Sequence, residues 1–145
     1  MNAALTTPLL FDPGDRWEYG ISIDWVGKMV EAASDQKLDR YFQENIFGPL
    51  EMKDTSFKLS PSQRGRLAKV HQRDDKGALA PIEFALPENP EFLMGGGGLY
   101  GTAGDYLAFA QMIMRGGTNN GVRVLRRGPS IRWRRTTSAR WRSAP

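Results

Sequence analysis

The sequence of 145 residues contains no cysteine and a single histidine, His71. Without cysteine the chain can have no disulfide framework, no thiolate zinc site and no cysteine nucleophile. One histidine cannot build a multi-histidine metal cluster, so no metal site is expected. The lack of cysteine does not indicate the cellular compartment of the protein.

Long hydrophobic runs are also absent. The N-terminal stretch MNAALTTPLLFDPGDRW has no basic segment, and its one apolar run is the short LLF. It therefore predicts neither a signal peptide nor a membrane span, and it favours a soluble, cytoplasmic protein. The length fits one domain, since a domain of this size buries roughly two-thirds of its unfolded surface.

Acidic residues are missing from the end of the chain. All 16 Asp and Glu, but only 13 of the 20 Lys and Arg, lie before residue 126, so that part has a formal charge of −3 and residues 126–145 carry +7. This tail, RRGPSIRWRRTTSARWRSAP, has hardly an aliphatic residue and is expected to be disordered. We therefore divide the chain into a partial domain, residues 1–125, and a basic tail, residues 126–145.

Two interpretations of the tail stay open. Arginines interleaved with Trp133 and Trp141 are typical of non-catalytic modules that bind single-stranded nucleic acid or an anionic membrane surface. A GC-rich gene translated out of frame gives the same residue usage, without acids, lysine or periodicity. The abrupt change after Leu125 favours the second interpretation, and binding of nucleic acid or of an anionic membrane is the alternative.

Apolar periodicity predicts three helices. The first begins at Ser22, a potential N-cap, with Asp24 in its first turn. The second runs from about residue 37 to residue 46 and ends at Gly48-Pro49. The third follows the capping-box pair Thr102 and Asp105 and stops at residues 116–117. The expected buried stripes are Ile23, Val26, Gly27, Val30 and Ala33 in the first helix, and Tyr106, Phe109, Ala110 and Ile113 in the third; Met112 and Met114 are also expected in the core.

Residues 57–93 have a different pattern. The runs LAKVHQ and ALAPIEFAL flank the turn DDKG, which predicts a hairpin or an extended flap. His71 lies in the first run without an acidic partner at a useful spacing, so we interpret it as a surface or packing histidine.

The tetrapeptide SDQK, with Ser34 and Lys37, has the spacing of a serine nucleophile and its activating lysine. A nucleophilic serine needs a helix N-terminus at the floor of a pocket, with N–H groups directed at the oxyanion. The apolar stripe of the first helix ends at Ala33 and that of the second begins at Leu38, which places Ser34 and Asp35 in the joint between the two helices, where they are expected to cap the second one. The pair is therefore predicted not to be catalytic.

Two further features could carry chemistry. Tyr19 follows Trp17 in the loop from Phe11 to Gly20, and it could act as a base if a nearby cation lowered its pKa from about 10; by itself it is more typical of a packing residue. The run from Gly95 to Gly98 lacks the lysine of a phosphate-binding loop. It predicts a backbone that approaches another segment or a ligand closely, or that adopts positive φ.

Two long segments together resemble one family. Residues 8–57, with PGDRWEYG at their start and PLEMKDTSF at their end, resemble the central block of the penicillin-recognising serine hydrolases: class C β-lactamases, DD-peptidases and related esterases. Residues 95–125, GGGGLYGTAGDYLAFAQMIMRGGTNNGVRVL, resemble a later block of the same proteins. The segment WEYGISIDWVGKMVE resembles the esterase branch more than the others.

The resemblance implies acyl transfer with a serine nucleophile. It identifies Tyr19 with the proton-transferring tyrosine of the family, and Ile21 stands where β-lactamases often have asparagine, which favours small esters over lactams as substrates. No cofactor is implied. The serine and lysine of the family motif lie well before this tyrosine, so the chain is interpreted as a central fragment that is inactive alone. The residues expected at the pocket rim are Trp17, Gly95, Gly96, Gly97 and Gly98.

The implied fold is α+β. The fragment should comprise mostly the helical region of a β-lactamase-like (DD-peptidase) fold with a short β-hairpin, and the main antiparallel sheet should be largely missing. Helix faces that pack on other parts of such a domain would then be exposed.

Overall fold

The computed structural model describes residues 6–126. The order of elements is α1 (Ser22–Ser34), α2 (Leu38–Phe42) continued by a π-helical segment (Gln43–Phe47), α3 (Pro61–Arg64), β1 (Val70–Arg73), β2 (Leu79–Ile82), α4 (Ala103–Met114), β3 (Thr118–Asn119) and β4 (Val122–Arg123). The described strands form two antiparallel pairs, β1–β2 and β3–β4. The architecture is α+β and mainly helical, as predicted. Most of the predicted basic tail, from residue 127 onward, lies outside the described residues.

The core lies where α2 and its π-helical continuation meet α4. Phe47, Leu50, Met52 and Met112 form one buried cluster. Partly buried apolar side chains pack around it: Phe42, Ile46, Phe109, Ile113, Val124 and Leu125. In the described part of the chain, no helix has both the length and the apolar character that a membrane crossing requires.

α1 begins without a side-chain cap, so the prediction that Ser22 caps it was wrong. Ile21 occupies the cap position, and Ser22 is already helical. The predicted stripe is also largely exposed: Gly27 is buried, but Ile23 and Val26 are about half exposed. The described residues cover the stripe mainly around Gly27, where Gly95 and Leu38 lie, and they leave the rest of it largely open, which agrees with the expectation of open helix faces.

The hairpin predicted between residues 57 and 93 is present. Val70 pairs with Ile82 and Arg73 with Leu79, and the Asp74 carboxylate accepts hydrogen bonds from the backbone N–H groups of residues 76 and 78 in the turn. Every residue of both strands, His71 included, is exposed, so this hairpin adds nothing to the core.

Two local elements with clear sequence signals, α3 and the β3–β4 hairpin, were not predicted. α3 starts with a complete capping box, in which Ser60 and Gln63 exchange side-chain to backbone hydrogen bonds. The β3–β4 hairpin turns at Asn120 and Gly121, both with positive φ, which is the Asn-Gly signature of a tight hairpin.

The ends of α4 were predicted correctly, but its buried face was predicted only in part. Thr102 accepts a hydrogen bond from the Asp105 N–H, and the helix ends before two glycines with positive φ. Met112 is 1% exposed, whereas Met114 is 74% exposed and Tyr106 is 71% exposed, so the core predictions for Met114 and Tyr106 were wrong. Residues two apart on a helix are separated by about 200°, so Met112 and Met114 cannot face the same core.

Candidate functional site

The loop before α1 presents its aromatic side chains outward. Asp12 and Asp15 close a turn through Gly14, and the Arg16 guanidinium lies 4.4 Å from the centre of the Phe11 ring. The Trp17 side chain is 65% exposed and that of Tyr19 is 86% exposed. Within the described chain, Tyr19 is therefore not a packing residue, and its phenol is open to a ligand.

The glycine run packs against the first two turns of α1. A Cβ atom added at Gly95 would lie 2.3 Å from the Ile23 carbonyl oxygen, and one added at Gly96 would lie 2.3 Å from Ile23 Cγ2. Gly98 has a φ of +85°. The run therefore combines close backbone approach with positive φ, as the sequence predicted, and the segment it approaches is the helix that follows Tyr19.

Asp24 connects these two elements, and the sequence interpretation did not assign it this role. Its side chain is only 4% exposed, and its Oδ1 accepts a hydrogen bond of 3.0 Å from the Gly96 N–H. The only local signal was an acid between Ile23 and Trp25 at the start of an apolar helix. Its partner lies 72 residues away in the sequence, so no local pattern could identify it.

Ser34 and Lys37 lie in the joint between α1 and α2. The Ser34 hydroxyl donates to the Val30 carbonyl at 2.7 Å, and Asp35 between the two residues has the left-handed φ of 54°. A helix break therefore separates Ser34 from Lys37, so they do not form a pair on adjacent turns of one helix. This position agrees with the predicted helix joint.

The predicted capping by Ser34 and Asp35 is replaced by a contact from α1. Glu31 Oε1 accepts from the Leu38 N–H at 3.0 Å, while its Oε2 accepts from Lys28 Nζ at 2.7 Å. Partial burial opposes ionisation of Glu31, but the hydrogen bonds from Lys28 and Leu38 outweigh it and lower its pKa. Glu31 thus satisfies the first N–H of α2, which explains why α2 needs no side-chain cap of its own.

A second contact holds the segment before α3 against the start of α4. Asp105 Oδ2 accepts hydrogen bonds from the Asp54 N–H and from the Thr55 hydroxyl, both at 2.8 Å. Ser56 and Tyr100 then exchange two backbone hydrogen bonds. Asp105 therefore joins the two segments on which the family resemblance rests, instead of completing a capping box with Thr102.

An apolar pocket of about 650 Å³ opens between these segments. Aromatic and aliphatic side chains provide most of its lining, and Thr55 and Thr102 add hydroxyl groups. Tyr19, Trp17 and the glycines from Gly95 to Gly98 do not line it. The pocket begins one residue beyond the glycine run, with Leu99, Tyr100 and Gly101 on its wall.

The family comparison covers nearly the whole chain. The family profile described as Beta-lactamase matches residues 1–144. Three curated relatives match a shorter part. An uncharacterized protein of Mycobacterium tuberculosis is 38% identical over 125 residues, which are 85% of this chain and 31% of that protein.

The other two relatives carry names that describe an activity. Monacolin J acid methylbutanoyltransferase of Aspergillus terreus is 33% identical over 119 residues, 79% of this chain and 29% of the transferase. Lovastatin esterase of Penicillium rubens is 34% identical over 117 residues, 75% of this chain and 29% of the esterase. The chain thus spans about three-tenths of the length of these relatives.

A solved structure shares the fold. Unliganded simvastatin synthase from Aspergillus terreus superposes with a TM-score of 0.74 at 32% identity, covering 81% of this chain and 30% of the synthase. The relatives include an acyltransferase and an esterase, so the fold is one that supports hydrolase and acyltransferase chemistry. On the profile match, the sequence identities and the shared fold, this chain belongs to the β-lactamase family.

Proposed function

We propose that this chain carries the proton-transferring tyrosine of an acyl-transfer site that acts on small esters. The observation that supports the proposal is the open phenol of Tyr19, on the loop that leads into α1, where the glycine run packs. Trp17 and the glycines from Gly95 to Gly98 are proposed as the pocket rim around it.

The reaction is an acyl transfer in two steps. The serine of the family motif would attack the ester carbonyl carbon while its proton passes to the Tyr19 oxygen, and the lysine of the same motif would stabilise that oxygen as a phenolate. The tetrahedral intermediate expels the alcohol, which takes the proton from Tyr19 and leaves an acyl-serine ester. Water or a second alcohol then attacks the acyl-serine, which gives hydrolysis or transfer respectively.

The substrate class follows from the tyrosine loop and from the relatives. Ile21 has no hydrogen-bonding group with which to orient a lactam amide, so an ester is favoured over a β-lactam. The relatives named as a methylbutanoyltransferase and as an esterase support short acyl esters as substrates. Ser34 and Lys37 are not proposed as the nucleophile and its lysine, because a helix break separates them.

The test uses a hybrid enzyme. Residues 8–125 of this chain replace the matching segment of Aspergillus terreus simvastatin synthase, and hydrolysis of p-nitrophenyl butyrate is measured. Loss of a positioned acid–base group costs about 10²–10⁴-fold in rate, so Tyr19→Phe should lower kcat of the hybrid by at least about 100-fold.

Tyr41→Phe is the matched control, because it removes a phenol from the same segment, on α2. It should leave kcat nearly unchanged. Circular dichroism of both variants shows whether the hybrid remains folded. If Tyr19→Phe and Tyr41→Phe have equal activity, Tyr19 is not the proton-transfer residue and the proposal fails.

A further inference from the structure

Among residues 6–126, Asp24 is the one buried residue with an ionisable side chain. Burial of a carboxylate is unfavourable unless hydrogen bonds compensate for its lost hydration. Two features provide that compensation: the Gly96 N–H donates to Oδ1 at 3.0 Å, and Asp24 lies in the first turn of α1, where the helix dipole favours a negative charge. A buried acid with a backbone partner 72 residues away constrains the position of both segments.

The glycines around this hydrogen bond leave little room for a side chain. Gly27 on α1 faces Gly95, and a Cβ atom at Gly27 would lie 3.1 Å from the Gly95 Cα. A Cβ at Gly95 would lie 2.3 Å from the Ile23 carbonyl oxygen, so at Gly95 the two backbones meet directly. The glycines permit the close approach, but they supply no directional contact. The hydrogen bond to Asp24 supplies one and therefore selects a single register.

The glycine segment is held at its other end as well. Tyr100 forms two backbone hydrogen bonds with Ser56, of 2.9 and 3.1 Å. Residues 97–99 thus lie between two fixed points, Asp24 and Ser56. Because glycine has wide conformational freedom, the placement of Gly97 and Gly98 depends on these two contacts.

We propose that Asp24 is a positioning residue for the Tyr19 site: its carboxylate holds the glycine run against the start of α1 and so sets the distance between that run and the tyrosine loop. The inference rests on the proposed function in one respect, namely that Tyr19 is the reactive group. Asp24 is buried, its carboxylate accepts from the Gly96 N–H, and its proposed effect on the site is transmitted through the glycine run.

The test measures this distance in the full chain. The sequence has no cysteine, so Gly20→Cys and Gly97→Cys provide the two sites for spin labels. A Cβ at Gly20 meets nothing within 4 Å, and one at Gly97 meets Met94 Cε at an ordinary 3.8 Å. Electron paramagnetic resonance then gives the distance distribution between the labels, with Asp24 intact and with Asp24→Ala, Asp24→Asn or the exposed control Asp39→Ala.

The distance distribution should be narrow with Asp24 intact and broader with Asp24→Ala. It should be narrow again with Asp24→Asn, which keeps an acceptor oxygen. Asp39→Ala should have no effect. A general loss of stability would not be reversed by Asn alone, so recovery in this variant identifies the hydrogen bond. An unchanged distribution in Asp24→Ala overturns the proposal.

A second measurement covers the case in which Asp24→Ala does not fold. In the unaltered chain the Gly96 amide should exchange with solvent at least about tenfold more slowly than an unstructured glycine amide, as expected for a hydrogen bond to a charged acceptor. Exchange at the unstructured rate overturns the proposal. Neither measurement uses catalysis, so a failed Tyr19→Phe test in the hybrid enzyme would refute the proposed function independently of the Asp24 contact.

Discussion

Replacement of Asp105 by alanine should destabilise the chain strongly. Its Oδ2 accepts two hydrogen bonds of 2.8 Å, from the Asp54 N–H and the Thr55 hydroxyl. Thr55 is buried, so its hydroxyl would lose its partner without gaining free access to water. Hydrogen bonds to charged groups contribute about 1.5–3 kcal/mol each, and partial exposure reduces this, so we expect a loss of about 3 kcal/mol for Asp105→Ala.

This loss is large for a chain with so small a core. Domains are stable by about 5–15 kcal/mol, and the buried cluster here comprises Phe47, Leu50, Met52 and Met112. Asp105→Asn retains one acceptor oxygen and should lose only about 1 kcal/mol. Asp39→Ala is the matched control: Asp39 is also an acid in a first helical turn, but its carboxylate accepts from the Arg40 N–H at the surface.

Urea unfolding followed by circular dichroism measures all three variants. The loss of unfolding free energy should be largest for Asp105→Ala, smaller for Asp105→Asn and smallest for Asp39→Ala. If Asp105→Ala loses no more than Asp39→Ala, the contact between the two segments does not stabilise the fold, and the structural account of the Asp54–Ser56 segment is refuted.

Two further predictions concern α1. Gly95→Ala should lower the free energy of unfolding by about 1–3 kcal/mol, because its Cβ would lie 2.3 Å from the Ile23 carbonyl oxygen. Gly97→Ala is the control and should change stability little. Equal unfolding midpoints for the two variants would contradict the close contact. The lowered pKa of Glu31 means that its contribution to stability is present above its unfolded pKa of about 4.5 and is lost as the pH falls through the folded value. Glu31→Gln should therefore reduce the acid sensitivity of urea unfolding below pH 4.5, and an unaltered pH profile would contradict this.

Local signals in the sequence predicted local structure well. The cap at Thr102, the stop at Gly116-Gly117 and the β1–β2 hairpin depend on backbone conformation within a few residues, and each is present. The same reasoning failed at Ser22 and at Ser34, because hydrogen bonding and packing in this fold determine whether a polar residue caps a helix. At α2, Glu31 from the preceding helix takes that role.

The contacts that organise the candidate site were not predictable in this way. Asp24 meets Gly96 across 72 residues, and Asp105 meets Thr55 across 50. A single sequence shows both acids only as favourable first-turn residues. The resemblance to the serine hydrolases indicated which segments belong together, and the structure supplies the side chains that join them.

The exposed stripe of α1 shows what hydrophobic periodicity alone cannot predict. Periodicity indicated correctly that Ile23 and Val26 share a face with Gly27, but it cannot indicate what covers that face. Among the described residues the glycine run covers only the part around Gly27.

The most direct test of the account is the activity of the purified chain itself. If it carries the tyrosine of an acyl-transfer site and Ser34 is not the nucleophile, incubation with p-nitrophenyl butyrate or nitrocefin should give no turnover above the buffer rate. Sustained turnover that Ser34→Ala abolishes would contradict this assignment.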